Sequence, residues 1–298
     1  MNRFSGLLTT RWYSSQVASK AKSPLAVLRQ KTGLPIGKCR EALTKHSENL
    51  EAAEKWLYSE AQKEGWAKVE KLKDRTAHQG LIGMLVKRSS NHNQALMVEV
   101  NCETDFVARN DKFKELTSNI TQSTFHLKAI PILQDTPMPV VDYLSKDLLS
   151  SIPSQNQTLA DKVAESMGQL GEHISISRGC VMAASQGLIC GFVYNNVSPP
   201  GSDTQLGTYG ALLHMLPSEE TGKMSSHERM TNLGQQICQH VVGMDVGDAS
   251  SNKDLIGALL EQSFLFDSSV TVGELLANNG LSLTRIIRYA LGESDSLF

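Results

Sequence analysis

The sequence predicts an α+β fold in which a three-helix module precedes two small subdomains of antiparallel sheet packed with helices. Apolar residues recur at helical spacing through residues 24–66, and short β-rich runs bounded by polar turns begin only near residue 80. The regions on either side of residue 157 then repeat one theme, a few short strands beside helices. We therefore divide the chain into residues 1–23, 24–66, 67–157 and 158–298.

The bulk composition limits the classes of function. The 298 residues are 40% hydrophobic and 20% charged, enough for one large core or two or three modest ones. A net charge of −2 argues against broad binding to nucleic acid, which needs a concentrated basic surface. The apolar stretches are far shorter than the roughly 20 residues that span a bilayer. Five cysteines without a CxxC pair predict reduced, buried thiols rather than disulfides or a zinc site.

The amino-terminal segment has an unusual charge pattern. Eight basic residues and no acidic one occur before Glu41, and residues 1–23 hold seven Ser or Thr. An acid-poor composition with arginine and serine is typical of an organelle transit peptide. The alternative is a disordered tail of a cytosolic protein. We interpret residues 1–23 as a mitochondrial transit peptide.

Residues 24–66 carry the pattern of three short helices. Pro24 stands at a first helical position behind the cap Ser23, and Gly33 and Pro35 break that helix before the next one. The second and third helices each have an apolar face, formed by Ile36, Cys39 and Leu43 and by Leu50, Ala53, Leu57 and Ala61. Because such short helices bury only a small core, we interpret the module as a docking unit rather than a catalytic one.

Strand and helix patterns follow one another from residue 67 onward. The first part predicts a basic solvated face or linker over residues 67–79. Strands are predicted over 80–86 and 95–100, joined by a polar turn at 89–93. A helix marked by Phe113, Leu116 and Ile120 follows, and then a proline-rich variable excursion or subdomain boundary over 127–157. The second part predicts a helix from Thr158 and then strands over 174–180, 188–195 and 208–215. A second helix is marked by Met230, Leu233, Ile237 and Val241. Near the end, Thr271 and Glu274 form a capping box, and a final strand is predicted over 285–289. Alternation in the run 95–100 places Leu96, Val98 and Val100 on one face.

The sequence lacks the motifs of common enzymes. Gly222-Lys223 resembles the end of a phosphate-binding loop, but Met224 replaces the required Ser or Thr, and Pro217 stands where the leading glycine belongs. No GxGxxG follows a strand, and there is neither an HExxH motif nor a nucleophile elbow. The eight histidines are dispersed without ligand spacing. We therefore expect no enzymatic activity, and no cofactor, metal site or small-molecule substrate.

Several segments resemble one known family. Residues 28–33 (LRQKTG) with 38–43 (KCREAL), and above all residues 99–110 (EVNCETDFVARN), resemble the two signatures of elongation factor Ts. Residues 168–174 (GQLGEHI) look like the K-x-G-E-N-I run of that family. Its carboxyl-terminal segment is similar to residues 266–267, 271–273 and 287–289. The resemblance extends in order over about residues 24–293.

The chain departs from the family pattern at three places. Residues 34–37 (LPIG) intervene where a bulky residue usually precedes the Lys-Cys step, and Asn195-Asn196 stands where His-Gly is common. Bacterial members carry a long coiled-coil insertion, whereas only residues 245–262 stand at that position here. Mitochondrial members are shortened in the same way, which agrees with the predicted transit peptide. The resemblance therefore implies a protein of the mitochondrial matrix.

The resemblance also implies a function. Members of the family are guanine-nucleotide exchange factors that bind elongation factor Tu and promote GDP release, so that GTP can bind and translation elongation continue. Here the partner would be mitochondrial elongation factor Tu. In the family mechanism the signature turn enters the partner's G domain and disturbs its magnesium site. The helical module, which looks like a ubiquitin-associated domain, docks elsewhere on that domain. The exchange residues implied are Asp105, Phe106, Thr104, Val107 and Arg109, and further partner contacts are Ile36, Gly37 and His240.

Two alternatives remain open at this point. The residues alone also allow Phe106 to be the first core residue of the following helix, with Thr104 or Asp105 as its N-cap. The chain as a whole is alternatively a non-catalytic adaptor whose module binds a different protein. RNA binding is disfavoured by the net charge of −2 and the lack of clustered aromatic residues.

Overall fold

The structure, a computed structural model, describes residues 23–32, 34–72, 74–88, 93–127, 137–154, 157–218, 227–244 and 252–293. The predicted transit peptide, apart from Ser23, lies outside the described residues, as do most of the polar turn at 89–93 and the segment 245–251. The chain divides into two compact units, residues 1–60 and 61–298. Within the described ranges, no helix is both long and apolar enough to cross a membrane.

Ten helices and twelve strands occur in the described ranges. The helices are α1 (Pro24–Thr32), α2 (Ile36–Lys45), α3 (Leu50–Leu72), α4 (Asp105–Ala108), α5 (Asp111–Leu127), α6 (Lys146–Ser151), α7 (Leu159–Leu170), α8 (His227–Gly243), α9 (Asn252–Glu261) and α10 (Val272–Asn278). The strands are β1 (Gln79–Arg88), β2 (Asn93–Cys102), β3 (Val140–Leu144), β4 (Pro153–Ser154), β5 (Gln157–Thr158), β6 (Ile174–Ala184), β7 (Leu188–Tyr194), β8 (Gln205–Gly207), β9 (Tyr209–Pro217), β10 (Ser263–Phe264), β11 (Asp267–Thr271) and β12 (Leu281–Ala290).

The first unit is helical, as predicted. α1, α2 and the beginning of α3 enclose a small core of Leu28, Cys39, Leu43 and Leu57. The boundary between the units falls within α3, which passes residue 66 and continues to Leu72. The basic run predicted as a solvated face or linker is therefore helical at first and a connecting segment only afterwards.

The second unit is built on a five-stranded antiparallel sheet in the order β3-β6-β2-β1-β8. Strands from both sides of residue 157 contribute to this sheet, because β6 and β8 pair with strands from the earlier part of the chain. The central strand, β2, is buried at every position. The sheet therefore joins residues that are distant in sequence around one strand.

Helices and sheets of the second unit stack in layers. Leu96, Val98 and Val100 project from one face of β2 into a core with α4, α5, α6 and α7, which confirms the predicted alternation. Met97 and its neighbours on the opposite face pack against a three-stranded sheet in the order β12-β9-β7. The outer face of that second sheet is covered by α8, α9 and α10. The α+β class predicted from the sequence is thus confirmed.

The proline-rich stretch differs from the prediction. Residues 127–157 were expected to form a variable excursion or a subdomain boundary, but β3 lies within them and pairs with β6 at the sheet edge. An edge strand tolerates nearby proline because one of its sides needs no hydrogen-bond partner. Residues 128–136 of the stretch lie outside the described residues.

Candidate functional site

The turn after β2 presents one large apolar side chain to solvent. α4 is a single helical turn, and Phe106 in it is 80% exposed, whereas Val107 is only 9% exposed and Ala108 is also buried. Thr104 is the N-cap residue, since its hydroxyl oxygen accepts a hydrogen bond from the Val107 N–H at 3.4 Å. Thr104 is thus a cap, but the interpretation of Phe106 as a core residue is wrong.

Asp105 and Arg109 form an ion pair on the surface of this turn. Arg109 Nη2 lies 3.1 Å from Asp105 Oδ2, four residues apart; the Arg109 side chain is largely exposed and that of Asp105 about half exposed. An exposed pair of this kind contributes little to stability, because water screens it and two flexible side chains must be ordered. Both charges are therefore available to a binding partner at small cost.

Two carboxylates connect the backbone that precedes α4 to the backbone that follows α7. Glu172 accepts hydrogen bonds from the Thr104 N–H at 3.0 Å and from the Thr104 hydroxyl at 2.6 Å. In the opposite direction, Glu103 accepts the His173 N–H at 2.7 Å and pairs with Arg75 at 3.3 Å. The residues before α4 and the residues after α7 are therefore bound to each other reciprocally.

The last residue of β2 adds a further contact to the turn. The buried Cys102 thiol donates to the Thr104 carbonyl oxygen at 3.2 Å. Burial, with a smaller contribution from the Glu172 carboxylate, raises the pKa of the Cys102 thiol to about 12. The thiol therefore stays protonated near neutral pH and acts as a donor rather than a nucleophile.

The signature carried by this turn belongs to a recognised family. The family model described as "Elongation factor Ts, mitochondrial, N-terminal" matches residues 9–67, and the one described as "Elongation factor TS" matches residues 103–255, which include the turn. The chain belongs to the elongation factor Ts family. It is thereby a translation elongation factor.

Curated relatives agree with this assignment over nearly the whole chain. The protein named "Elongation factor Ts, mitochondrial" from Nematostella vectensis is 34% identical over 291 residues, which cover 91% of this chain and 99% of the relative. Those of the same name from Salmo salar and Homo sapiens are 35% and 34% identical, covering 92% and 93% of this chain and 87% and 85% of the relatives. Mitochondrial translation takes place in the matrix, so this family member is a protein of the mitochondrial matrix.

The predicted contacts of the helical unit are accessible in this elongation factor Ts family member. Ile36, at the start of α2, is about half exposed, and a side-chain carbon added at Gly37 would meet no atom within 4 Å. Ile36 also lines a surface groove with residues of α1, namely Leu25, Ala26 and Arg29. This unit thus offers an apolar side chain beside a groove with one basic edge.

His240, by contrast, is fully buried. Its Nδ1 accepts the Leu265 N–H at 3.1 Å, so the neutral ring carries its proton on Nε2, which lies 2.9 Å from Gln262 Oε1. The ring stacks on Phe264 with centroids 5.9 Å apart. A partner therefore cannot touch His240 itself; His240 can affect binding only through the residues that its ring holds in place, such as Leu265.

The hairpin held by His240 exposes two apolar residues that the sequence analysis did not assign to the site. Leu265 and Phe266 form the turn between β10 and β11 and are 47% and 53% exposed. The feature of the sequence that could have identified them is a pair of large apolar residues in a tight turn, immediately before Asp267. In the described part of the chain, no group of three or more His, Cys, Asp or Glu side chains is arranged to hold a metal ion.

Proposed function

We propose that this protein binds mitochondrial elongation factor Tu and promotes the release of GDP from it, so that GTP can bind. One observation carries the proposal: Phe106 stands 80% exposed on a helical turn whose next two residues are buried. A large apolar side chain that is anchored from below and directed into solvent is suited to enter a partner. The family membership of the chain gives the class of that partner.

The energy required for exchange is within reach of this side chain. An exchange factor makes no covalent bond; it binds the nucleotide-free partner more tightly than the GDP-bound one, and the two ligands weaken each other equally. Each tenfold weakening of GDP binding requires about 1.4 kcal/mol. Burial of an exposed phenylalanine supplies roughly 1.5–3 kcal/mol. Phe106 alone would therefore weaken the binding of GDP to the partner by roughly 10- to 100-fold.

Asp105 contributes charge in this proposal. Among the described residues, its carboxylate pairs with the solvent-exposed Arg109, so it can turn toward a partner by breaking an exposed ion pair. A carboxylate brought near the partner's magnesium ion would disturb the arrangement of water and oxygen ligands around that ion, on which nucleotide affinity depends. Val107 anchors the turn from the core side, and Thr104 caps it.

Binding would involve further surfaces besides the turn. We propose that residues 24–66 act as a docking module through the exposed Ile36 and the adjoining Gly37. The Leu265-Phe266 turn offers another apolar contact, supported from beneath by His240. Such contacts raise affinity for the partner, whereas the Phe106 turn weakens the binding of GDP to that partner.

Release of labelled GDP from purified mitochondrial elongation factor Tu tests the proposal. Added in increasing amounts, the protein should accelerate release until the rate saturates. In a pull-down, it should retain nucleotide-free elongation factor Tu and lose it when GDP and magnesium are added. An adaptor for another protein would leave the GDP release rate unchanged at every concentration.

A further inference from the structure

The Gly171-Glu172-His173 segment has a place in the structure that the proposed function has not used. Gly171 ends α7 with φ of +80°, a left-handed conformation that favours glycine, and its N–H donates to Met167 O. The chain turns there, and the next two residues reach the end of β2. Glu172 lies 68 positions from Thr104 in sequence, yet it accepts both the N–H and the hydroxyl proton of Thr104.

These bonds determine how Thr104 caps α4. A threonine hydroxyl has one proton; since Thr104 donates it to Glu172, the oxygen lone pairs are left to accept the Val107 N–H. The Thr104 carbonyl oxygen accepts from the Cys102 thiol at 3.2 Å and from the Ala108 N–H at 3.2 Å. Every polar group of Thr104 is thus bonded, and the residue has a single orientation.

α4 depends on this cap because it is very short. A helix of four residues cannot sustain itself through its own hydrogen bonds. Its geometry must come from its ends and from the burial of Val107 and Ala108. Hydrogen bonds to a carboxylate are shorter and stronger than those between neutral groups. Glu172 is therefore the polar partner best placed to fix the helix start from which Phe106 projects.

We propose that Glu172 is a positioning residue for nucleotide exchange, acting through Thr104 to fix the direction in which Phe106 is presented. This inference rests on the proposed exchange function. In a partner already docked through the other surfaces, a freely moving turn must be ordered as it enters the G domain and GDP leaves, whereas a turn that is already fixed avoids that cost. The reciprocal bond from the His173 N–H to Glu103 holds the same two segments together from the other side.

The chain contains a matched control for this role. Asp161, at the start of α7, accepts the N–H of Thr158 at 3.1 Å and its hydroxyl proton at 2.8 Å, the same two donors that Glu172 binds on Thr104. Asp161→Ala and Glu172→Ala therefore each remove a carboxylate from the N-cap threonine of a helix. Only Glu172→Ala does so at the turn that carries Phe106.

The experiment measures the rate of GDP release from mitochondrial elongation factor Tu as the concentration of each full-length variant is raised. We expect Glu172→Ala to lower the saturating rate by at least about tenfold, because even one hydrogen bond to a charged group is worth about that factor. The half-saturating concentration should change little, since the other contacts remain. Asp161→Ala should keep the saturating rate, and Glu172→Gln, which retains one acceptor oxygen, should recover part of it.

Different results would overturn the inference. If Glu172 were only a structural residue, its variant would contain less folded protein; the half-saturating concentration would rise and the saturating rate would be unchanged. A saturating rate equal to that of the wild type has the same meaning. If Glu172→Ala does not fold, Thr104→Val, which removes the hydroxyl that donates to Glu172 and accepts the Val107 N–H, replaces it with the same expectations. Failure of the wild-type protein itself to accelerate release would instead contradict the proposed function.

Discussion

Phe106 and Val107 are consecutive residues of one helical turn, yet the first is 80% exposed and the second 9%. Their backbone conformations belong to the same short helix, α4, so the difference arises from direction alone. Val107 joins the core beneath the five-stranded sheet, and Phe106 points away from it. The buried Val107 thus anchors the turn, and the apolar side chain of Phe106 stays exposed to water.

Replacement of Phe106 should separate the contribution of this residue to nucleotide exchange from its contribution to stability. Because the side chain is exposed, Phe106→Ala should change the free energy of unfolding by no more than about 0.5 kcal/mol. Stimulation of GDP release should nevertheless fall strongly. Phe113, fully buried in the adjoining α5, is the control: Phe113→Ala should cost roughly 3–5 kcal/mol. Thermal unfolding and the release assay measure both effects, and unfolding of Phe106→Ala would mean that the residue is structural.

Asp105→Ala should produce a smaller loss of exchange than Phe106→Ala. In the described part of the chain the carboxylate pairs with the exposed Arg109, so its removal should leave the melting temperature nearly unchanged. If the charge acts on the partner's magnesium site, Asp105→Asn should be impaired almost as much as Asp105→Ala. Equal activity of Asp105→Asn and the wild type would assign the contribution to hydrogen bonding instead of charge.

Removal of the helical unit should weaken binding without unfolding the rest. A chain that begins at residue 61 retains the second unit and should unfold in one cooperative transition, but bind elongation factor Tu less tightly. A chain that begins at residue 73 is the control. It also lacks Gly65, which lies against the Ala164 carbonyl, and Leu72 of the core, so its melting temperature should fall clearly. Loss of cooperativity in the longer chain would contradict the prediction.

Arg178 should be required for stability rather than for exchange. Its Nε donates to Glu99 Oε2 at 2.7 Å, both side chains are buried, and its Nη2 donates to the Ala290 carbonyl at 3.0 Å. Removing one partner of such a pair leaves a buried charge, which costs roughly 3–5 kcal/mol. Arg178→Ala should therefore lower the urea midpoint strongly. Asp203→Ala, which breaks an exposed pair with Lys87, should leave the midpoint unchanged.

Stability should fall as the pH drops below about 6.5, the pKa of histidine in an unfolded chain. Burial lowers the pKa of both His214 and His240 in the folded protein. The unfolded state then binds more protons than the folded state, so the free energy of unfolding decreases toward acid, by at most about 1.4 kcal/mol per pH unit for each histidine. Urea titrations between pH 7.5 and 5.5 measure the slope. His240→Gln, which cannot gain a proton, should reduce it.

Local patterns in the sequence were sufficient for much of the fold. Alternation at Leu96, Val98 and Val100 correctly assigned one face of β2. The Thr271-Glu274 capping box forms as predicted, with the Glu274 N–H 3.1 Å from Thr271 Oγ1 and the Thr271 N–H 2.9 Å from Glu274 Oε2. Such features depend on residues a few positions apart, so the spacing of those residues is enough to predict them.

Features that depend on distant residues were not predictable in this way. The bonds between Glu172 and Thr104 join residues 68 positions apart in sequence, and no local periodicity predicts them. β3 was missed because nearby prolines hide a short edge strand whose partner, β6, comes much later in the chain. His240 lies on the apolar stripe of α8, but its complete burial follows from the Leu265 hairpin folding over it.

The position of β2 has a consequence for the motion of the molecule. Its backbone is enclosed by strands on both sides and by apolar cores on both faces, so its amide protons can exchange with solvent only when the whole second unit opens. Phe106 is attached four residues beyond the end of that strand. The exposed side chain of Phe106 thus lies close to a strand that should open late among the described elements of the second unit. In the proposed function, a partner that pushes against Phe106 would transmit the force to an element that resists opening, and the displacement would then occur in the partner.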